Sequence, residues 1–186
     1  LGIDPIELRL RNAVREGSRT IYGATFKAIG LVECLEEARR HPHYAAALGA
    51  NQGRGVAAGF WFNAGLQSSV AVHLTENGKL LLEEGNPDIG GSRASMALIA
   101  AETLGVPYAS VKPVVVDTSS VGYNDLTAGS RTTYATGYAV IEACGALIAK
   151  LCARAAAEWN VAPGRVSWRD GAAWHADEPE TSLGIA

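Results

Sequence analysis

The sequence has few cysteines and no long hydrophobic run. Only three cysteines occur among its 186 residues. They are too few and too scattered to predict a disulfide framework or a Cys-x-x-Cys metal site. Cys144 and Cys152 lie in an alanine-rich helical pattern, which predicts reduced, buried thiols. No apolar run approaches the roughly 18 residues that a membrane span needs, so we expect no membrane segment.

The chain also lacks an excess of positive charge. Its 16 Lys and Arg residues stand against 19 Asp and Glu residues, for a formal net charge of −3. Binding to a nucleic-acid backbone requires clustered basic residues without compensating acids, so we expect no nucleic-acid role. Charged residues near the N-terminus, among them Glu7 and Arg9, stand where a signal peptide would have its apolar centre. We therefore expect a cytoplasmic, globular protein.

Glycine, in contrast, is abundant, and the first residue is not Met. There are 21 glycines, and the chain begins at Leu1. The missing Met predicts that the sequence is an internal piece of a longer chain. The length of 186 residues then sets bounds on the piece and not on the whole protein.

Apolar periodicity predicts an α+β fold preceded by N-terminal helices. Residues 1–50 read as a helical lead-in segment, with Asp4 as the N-cap of the first helix, and residues 51–186 as the main domain. The main domain follows the order strand, strand, helix, strand, helix. This order predicts a two-layer unit with a mixed sheet and helices packed on one face. The predicted strands cover 55–62, 69–74, 79–84 and 111–116, the helices 92–104 and 134–158, and a final hairpin 161–175.

Two loops that lead into helices carry the residues of greatest chemical interest. Loop one covers residues 85–93, and loop two covers residues 127–133. Each combines glycine, hydroxyl side chains and one arginine at a helix N-terminus. Glycine lets backbone N–H groups approach a ligand closely, and the helix end adds unpaired donors and about half a positive charge. Two such loops suit an elongated anionic cofactor, although the same residues also occur as plain helix caps.

Several motifs occur in an order that resembles one known family. Val70–Leu74 with Asn77-Gly78 resembles the strand and turn before that family's first pterin loop. Residues 85–92 resemble the loop written G-x-x-E-x-G-Q-G, and 99–107 the helix after it. Residues 127–134 resemble the second pterin loop. From about residue 53 to 151 the chain is thus similar to the molybdopterin-binding large subunit of the molybdenum hydroxylases, the xanthine dehydrogenase and aldehyde oxidase family. The Gly-Ser-Arg sequence at residues 129–131 is more similar to the carbon-monoxide-dehydrogenase-like branch of the family than to animal xanthine oxidases.

The resemblance implies a set of cofactor-binding residues. In loop one these are Gly90, Gly91, Ser92 and Arg93, and in loop two Gly129, Ser130, Arg131, Thr132 and Thr133. Gly91 stands where much of the family has glutamine, so a side-chain contact is missing there, and we hypothesise that Arg93 replaces it. The aromatics Phe60 and Trp61 fall where the family lines its substrate pocket, with a packed core strand as the alternative.

The resemblance also implies an activity for the longer protein. Such a protein would oxidise an aldehyde, an N-heterocycle or a similar small substrate with water as the oxygen source. It would use a molybdopterin-type molybdenum cofactor in this subunit, together with iron–sulfur clusters and FAD on partner domains or subunits. The family's catalytic glutamate belongs to a Gly-x-Gly-Glu-type motif that is not found here, so we expect no catalytic residue, no metal ligand and no activity in this piece alone. The alternatives are a stand-alone scaffold module or a domain that binds another phosphate-bearing ligand.

Other polar residues carry weaker signals. His73 alternates with apolar neighbours on a strand, which is typical of a half-buried, hydrogen-bonded histidine. Asp117 precedes a Gly/Ser-rich segment and is expected to form a turn. Glu83 and Glu84 are adjacent on a strand, so their side chains point to opposite faces and cannot form an acid/base pair.

Overall fold

The computed structural model describes residues 1–59, 61 and 63–185, and the chain forms two compact units, Leu1–Phe60 and Trp61–Ala186. The division lies ten residues beyond the end of the lead-in segment expected from the sequence, which ran from 1 to 50. Residues 51–59 therefore belong with the N-terminal helices.

The N-terminal unit contains three helices, α1 (Pro5–Asn12), α2 (Leu31–Arg40) and the single turn α3 (Pro42–Ala45). As predicted, the Asp4 carboxylate caps α1, because it accepts hydrogen bonds from the N–H groups of the second and third helical residues, each at 2.9 Å. Ile6 and Leu35 are the buried apolar residues described in this unit, so its core is small.

The strand predicted over 55–62 is wrong for the residues that can be described. Residues 55–59 and Trp61 are irregular, and Trp61 is 70% exposed; Phe60 and Phe62 lie outside the described residues. Strand propensity reflects how well a side chain fits a paired, half-buried surface. Residues 55–59 belong to neither sheet, so the composition of the segment misled the prediction.

The second unit is built on a mixed three-stranded sheet. Its strands are β1 (Val70–Leu74), β2 (Leu80–Glu84) and β3 (Val111–Val115), in the order β1-β2-β3. β1 and β2 are antiparallel across the predicted Asn77-Gly78 turn, and β3 is parallel to β2. Pro113 lies on an edge strand, as its missing N–H requires.

Two helices cover one face of this sheet and confirm the predicted two-layer α+β unit. α4 (Ser92–Leu104) has the predicted bounds, while α5 (Gly137–Glu158) follows a π-helical turn over Thr132–Thr136. The core between the layers contains Leu80, Leu82, Met96, Leu104 and Val140.

The three thiols are free, and they differ in burial. The Cys144 thiol is buried in the core, and burial raises its pKa to about 11. Cys152 is only half-buried, and Cys34 is exposed. The prediction of buried thiols therefore holds fully for Cys144 and in part for Cys152. Among the described residues, no helix has both the length and the apolar character to cross a membrane.

A second, antiparallel sheet follows α5 and contacts the C-terminal end of α4. It consists of β4 (Val166–Arg169), β5 (Ala172–His175) and β6 (Ser182–Gly184), in that order. The first two form the predicted hairpin, and β6 is too short to leave a periodic pattern in the sequence. The indole N–H of Trp168 donates to the Leu104 carbonyl at 2.9 Å, which ties this sheet to the C-terminal end of α4.

The turn of the β4–β5 hairpin also packs against the end of α4 through glycine. Gly105, which follows α4, has a left-handed backbone with φ of 72°. A Cβ atom at this position would lie 2.9 Å from the Gly171 nitrogen and 3.0 Å from the Asp170 Cα atom. Both neighbours are backbone atoms, so no side-chain rotation relieves the clash.

Replacing Gly105 with Ala should lower the free energy of unfolding by about 2 kcal/mol, since it adds left-handed strain to a backbone clash. Gly145→Ala in α5 is the matched control. A Cβ atom there meets nothing within 4 Å, and the change should stabilise the protein by about 0.5–1 kcal/mol. Urea unfolding of both variants measures the difference, and equal effects of the two substitutions would contradict the close backbone packing.

Candidate functional site

The two predicted loops meet at one end of the main sheet. Because β2 and β3 are parallel, their carboxyl ends lie at the same edge, and the antiparallel strand β1 begins there. Loop one continues from β2 into α4, and loop two continues from the segment after β3 into α5. Ligands of open α/β sheets bind at this edge. The sequence pattern thus identified two neighbouring parts of one surface.

A buried arginine organises this end of the sheet. The Arg131 side chain is 0% exposed. Its Nε donates to the Gly65 carbonyl at 2.8 Å, and one terminal nitrogen donates to the Gln67 carbonyl at 2.5 Å. Further acceptors are Ser68 Oγ at 2.5 Å, the Asp125 carbonyl at 2.9 Å, the Leu126 carbonyl at 3.3 Å and Asn86 Oδ1 at 3.4 Å. All three guanidinium nitrogens therefore bond to protein oxygens.

This geometry changes the role expected for Arg131. The resemblance implied that Arg131 contacts the cofactor directly, and a planar guanidinium suits a phosphate. In the structure the guanidinium is enclosed by protein acceptors. We therefore infer that Arg131 positions the loops and does not contact a phosphate directly. Sequence reasoning had no signal for this, because the Gly65, Gln67 and Ser68 acceptors lie 63 to 66 residues away along the chain.

Asn86 extends the contacts of Arg131 from loop one to the start of α5. The buried Asn86 amide donates to Thr136 Oγ1 at 2.8 Å and to Asn124 Oδ1 at 3.2 Å. Thr136 Oγ1 in turn lies 3.0 Å from Ser68 Oγ. These side chains form one polar network that fixes loop one against loop two. A fully satisfied buried network rigidifies the segments that it joins.

Loop one presents bare backbone to solvent. Gly90 and Gly91 are exposed, with φ of 62° and 80°, and a Cβ atom at either position would meet nothing within 4 Å. Within the described part of the chain, neither of their N–H groups makes a hydrogen bond. Two amides at the head of a thirteen-residue helix are thus open to an acceptor.

The other predicted residues of loop one have protein partners. The exposed Arg93 guanidinium pairs with the Asp88 carboxylate at 3.3 Å, beside the glycines. Ser92 is buried, and its hydroxyl accepts from the Ile89 N–H at 3.3 Å. The hypothesis that Arg93 replaces the family's glutamine stays a prediction, since its side chain is half exposed and anchored at the edge of the loop.

Loop two offers a similar backbone and two hydroxyls without partners. Gly129 and Ser130 both have left-handed φ values, 59° and 57°. The Thr127 and Thr132 hydroxyl oxygens are buried and have no hydrogen-bond partner among the described residues. The Thr133 side chain is exposed at the start of the π-helical turn. A buried hydroxyl without a partner carries a desolvation cost, which a bound acceptor would remove.

Glu84 is a buried carboxyl beside the two loops that sequence reasoning did not single out as a site residue. It is the last residue of β2, its side chain is 0% exposed, and neither of its carboxyl oxygens has a hydrogen-bond partner among the described residues. The pKa of the Glu84 carboxyl is raised to about 7, chiefly because the group is buried and further because of the nearby Asp88 carboxylate, while the Arg93 guanidinium acts to lower it. The signal was present in the alternation of Leu80, Leu82 and Glu84 on one face of the strand.

The weaker candidates have ordinary roles. His73 is exposed rather than half-buried, and its ring nitrogen lies 3.2 Å from the Glu83 carboxylate on the sheet face away from Glu84. Asp117 forms a turn as expected, because its carboxylate accepts from the N–H and hydroxyl of Ser119 at 2.8 and 2.7 Å. Groups of three or more potential metal-ligating side chains do not occur in the described parts of the chain.

Because Arg131 uses every guanidinium nitrogen, Arg131→Lys should unfold at lower denaturant. Lysine cannot reach the same set of acceptors, and we expect a loss of about 3 kcal/mol or more in the free energy of unfolding. Arg93→Lys, at an exposed pair, should cost less than about 1 kcal/mol. Similar losses in urea unfolding of the two variants would contradict the positioning role.

The stability of the protein should depend on the proton of Glu84. The folded pKa of about 7 exceeds the ordinary 4.5, so the stabilisation from protonated Glu84 is complete below pH 4.5 and is lost as the pH rises through 7. Glu84→Gln removes this loss. The wild type loses stability as the pH rises from 4.5 to 8.5, so the free energy of unfolding of Glu84→Gln minus that of the wild type should increase by roughly 2–3 kcal/mol over this range. Glu83→Gln is the control, and a Glu84→Gln profile parallel to the wild type would refute the raised pKa.

Comparisons with known proteins identify the family of this chain. A family model described as a molybdopterin cofactor-binding domain matches residues 27–185. The xanthine dehydrogenase molybdenum-binding subunit of Escherichia coli O157:H7 is 31% identical over 172 residues, which cover 84% of this chain and 23% of that protein. The aldehyde oxidoreductase molybdenum-binding subunit of Escherichia coli K12 is 34% identical over 128 residues, 63% of this chain and 17% of that protein.

Solved structures show the same fold. The reconstituted CO dehydrogenase from Oligotropha carboxidovorans matches 64% of this chain and 15% of its own, with a TM-score of 0.60 and 25% identity. The quinoline 2-oxidoreductase from Pseudomonas putida 86 matches 99% of this chain and 27% of its own, with a TM-score of 0.73 and 18% identity. The chain spans about a quarter or less of the length of these relatives. From the family match and the shared fold, the chain belongs to the molybdopterin cofactor-binding domain family.

Proposed function

We propose that this chain is the part of a molybdenum hydroxylase that holds a molybdopterin-type molybdenum cofactor, and that the two loops at the end of the main sheet form its binding surface. The observation that carries the proposal is the pair of open amides at Gly90 and Gly91. They head α4 and stand on a loop that Arg131 and Asn86 join to loop two. Family membership agrees with this role.

The residues present suit an anionic, hydrogen-bonding group. Gly90 and Gly91 offer N–H donors with no side chain in front of them, and a helix N-terminus adds positive potential. In loop two, Gly129 and Ser130 turn the backbone, and the Thr132 hydroxyl is buried and has no partner in the part of the chain that the structure describes. The Arg93 guanidinium offsets the negative charge of Asp88 at the rim. A phosphate-bearing pterin would satisfy both loops at once.

The chain's own residues would bind and orient the cofactor. When bound, the cofactor supplies the redox chemistry by which a small substrate is oxidised with water as the oxygen source. Backbone amides of Gly90, Gly91, Gly129 and Ser130 would hold it, with hydroxyls from Thr132 and Thr133 in support. The buried Ser92 hydroxyl already bonds within loop one and would support the loop instead. Arg131 would act one step removed, by keeping the segments that carry these groups in register.

We extend the proposal to the substrate and partners of the longer protein. The relatives are named for xanthine, aldehyde, carbon monoxide and quinoline, which fits an aldehyde, an N-heterocycle or a similar small substrate. Trp61, with Phe60 beside it in the sequence, is our candidate for the substrate pocket. The partners would be the remainder of the molybdenum-binding subunit, together with iron–sulfur and FAD domains or subunits, in the cytoplasm.

An NMR titration tests the cofactor proposal. Molybdopterin released anaerobically from a purified molybdoenzyme is added to ¹⁵N-labelled protein, with ATP as the comparison ligand. We expect molybdopterin to shift the amide signals of Gly90, Gly91, Gly129 and Ser130, because these donors face the bound group. ATP should shift them less at equal concentration.

Substitution in loop one provides the control for that titration. Gly91→Ala strains a left-handed backbone and should weaken molybdopterin binding about five- to tenfold, as expected for a cost of roughly 1 kcal/mol or slightly more. Gly145→Ala, outside both loops, should leave the affinity unchanged. The proposal fails if molybdopterin shifts signals elsewhere in the chain, or if ATP produces the same shifts with equal affinity.

A further inference from the structure

We propose that Glu84 is a positioning residue that takes up a proton when an anion binds the amides of loop one, so that anion affinity at this site rises as the pH falls. The inference rests on the proposed function only in placing an anion at Gly90 and Gly91. Its substance, the linkage between that anion and one buried proton, follows from the geometry of Glu84 itself.

The position of Glu84 puts it directly under loop one. It is the last residue of β2 and points to the helix-covered face, in line with the core residues Leu80 and Leu82. The chain passes from Glu84 into the loop, and α4 begins eight residues later at Ser92. The carboxyl is fully buried with both oxygens unpartnered among the described residues. A charged form would therefore have neither water nor a hydrogen-bond donor to stabilise it.

The charged groups that act on Glu84 both belong to the site. Asp88 in loop one disfavours its ionised form, and Arg93 in the first turn of α4 favours it. The elements on its other sides are uncharged there. β1 places Val70 and β3 places Val115 opposite Glu84. The buried residues at the start of α5, Thr136, Gly137 and Val140, also carry no charge. A negative charge added at loop one would therefore disfavour ionised Glu84 together with Asp88, with Arg93 as the opposing charge.

An anion at Gly90 and Gly91 would act on Glu84 in the same sense as Asp88. Its negative charge would raise the pKa of a carboxyl that already titrates near neutral pH, and the carboxylate would take a proton from solvent. No bond in the anion changes. Linkage is reciprocal, so prior protonation of Glu84 must strengthen anion binding by the same factor. The family resemblance gives Glu84 no role, and the sequence pattern assigned it none.

Sulfate is the probe that tests this linkage, since it remains a dianion across the pH range used. Sulfate is titrated into ¹⁵N-labelled protein at pH 5.5 and 8.5, and dissociation constants are taken from the Gly90 and Gly91 amide shifts. For the wild type we expect binding about tenfold tighter at pH 5.5, the factor that corresponds to one pKa unit of coupling.

Two glutamine variants isolate the contribution of Glu84. Glu84→Gln should bind sulfate with nearly the same affinity at both pH values, because its side chain cannot ionise. Glu83→Gln, on the opposite face of the same strand, should keep the dependence of the wild type. The four histidines are unchanged in all three proteins, so their presence does not account for a difference between Glu84→Gln and the wild type. A pH dependence that is the same in Glu84→Gln and the wild type overturns the inference.

A second measurement needs no variant. The ¹³C carboxyl signal of Glu84 is followed against pH with and without sulfate, and sulfate should move its titration midpoint upward. An unmoved midpoint, or no sulfate-induced shift at Gly90 and Gly91 at either pH, also overturns the inference. These outcomes are separate from those of the molybdopterin titration. Pterin binding without pH linkage refutes the role of Glu84 alone, whereas loss of pterin binding at these loops refutes the proposed function.

Discussion

Arg131, a buried cation with no acidic partner among the described residues, holds the loop end of the sheet together. Burying a guanidinium is costly unless its N–H groups find acceptors of good geometry. Arg131 meets this requirement with oxygens from three separate stretches of chain, 65–68, 86 and 125–126. Those stretches must keep their positions for the charge to stay buried, so one side chain fixes the relative placement of both loops.

The architecture of the sheet makes this arrangement useful. Two parallel strands send their carboxyl ends to one edge, and each continues toward the head of a long helix. The amides at such helix heads attract negative charge. Gly90 and Gly91 leave loop one bare at that point, and the Arg131 network holds loop two beside it. Glu84, the last residue of β2 before loop one, is a buried carboxyl without a hydrogen-bond partner among the described residues. The proposed binding surface therefore combines open backbone donors with a buried carboxyl beside them.

Much of this unit could be predicted from sequence because the signals were local. The Asn77-Gly78 turn, the hydrophobic strands and the glycine after α4 gave the elements of the two-layer unit with bounds close to those observed. Glycine and hydroxyl residues at two helix starts marked the loops, and the shared direction of β2 and β3 explains why the loops meet. The Asp4 cap of α1 likewise depends on neighbours two and three residues away.

What could not be predicted depends on distant contacts. Arg131 carries no local sign of its acceptors more than sixty residues back, so a ligand-binding role looked equally suitable. The aromatic segment before residue 63 has strand-like composition, yet residues 55–59 belong to neither sheet. Glu84 is a different case, since its place in the Leu80, Leu82, Glu84 alternation already indicated burial. The adjacent residue Glu83 points to the opposite face of β2, so Glu84 is buried as a single carboxyl.

The most direct test of the central claim is a crystal structure of this protein with the molybdopterin cofactor bound. Our account expects phosphate oxygens within hydrogen-bond distance of the Gly90 and Gly91 amides and of the Gly129 and Ser130 backbone, with the Arg131 contacts unchanged. Cofactor bound instead at the opposite end of the sheet, in the hollow lined by Thr75, Leu81 and Lys112, would contradict it.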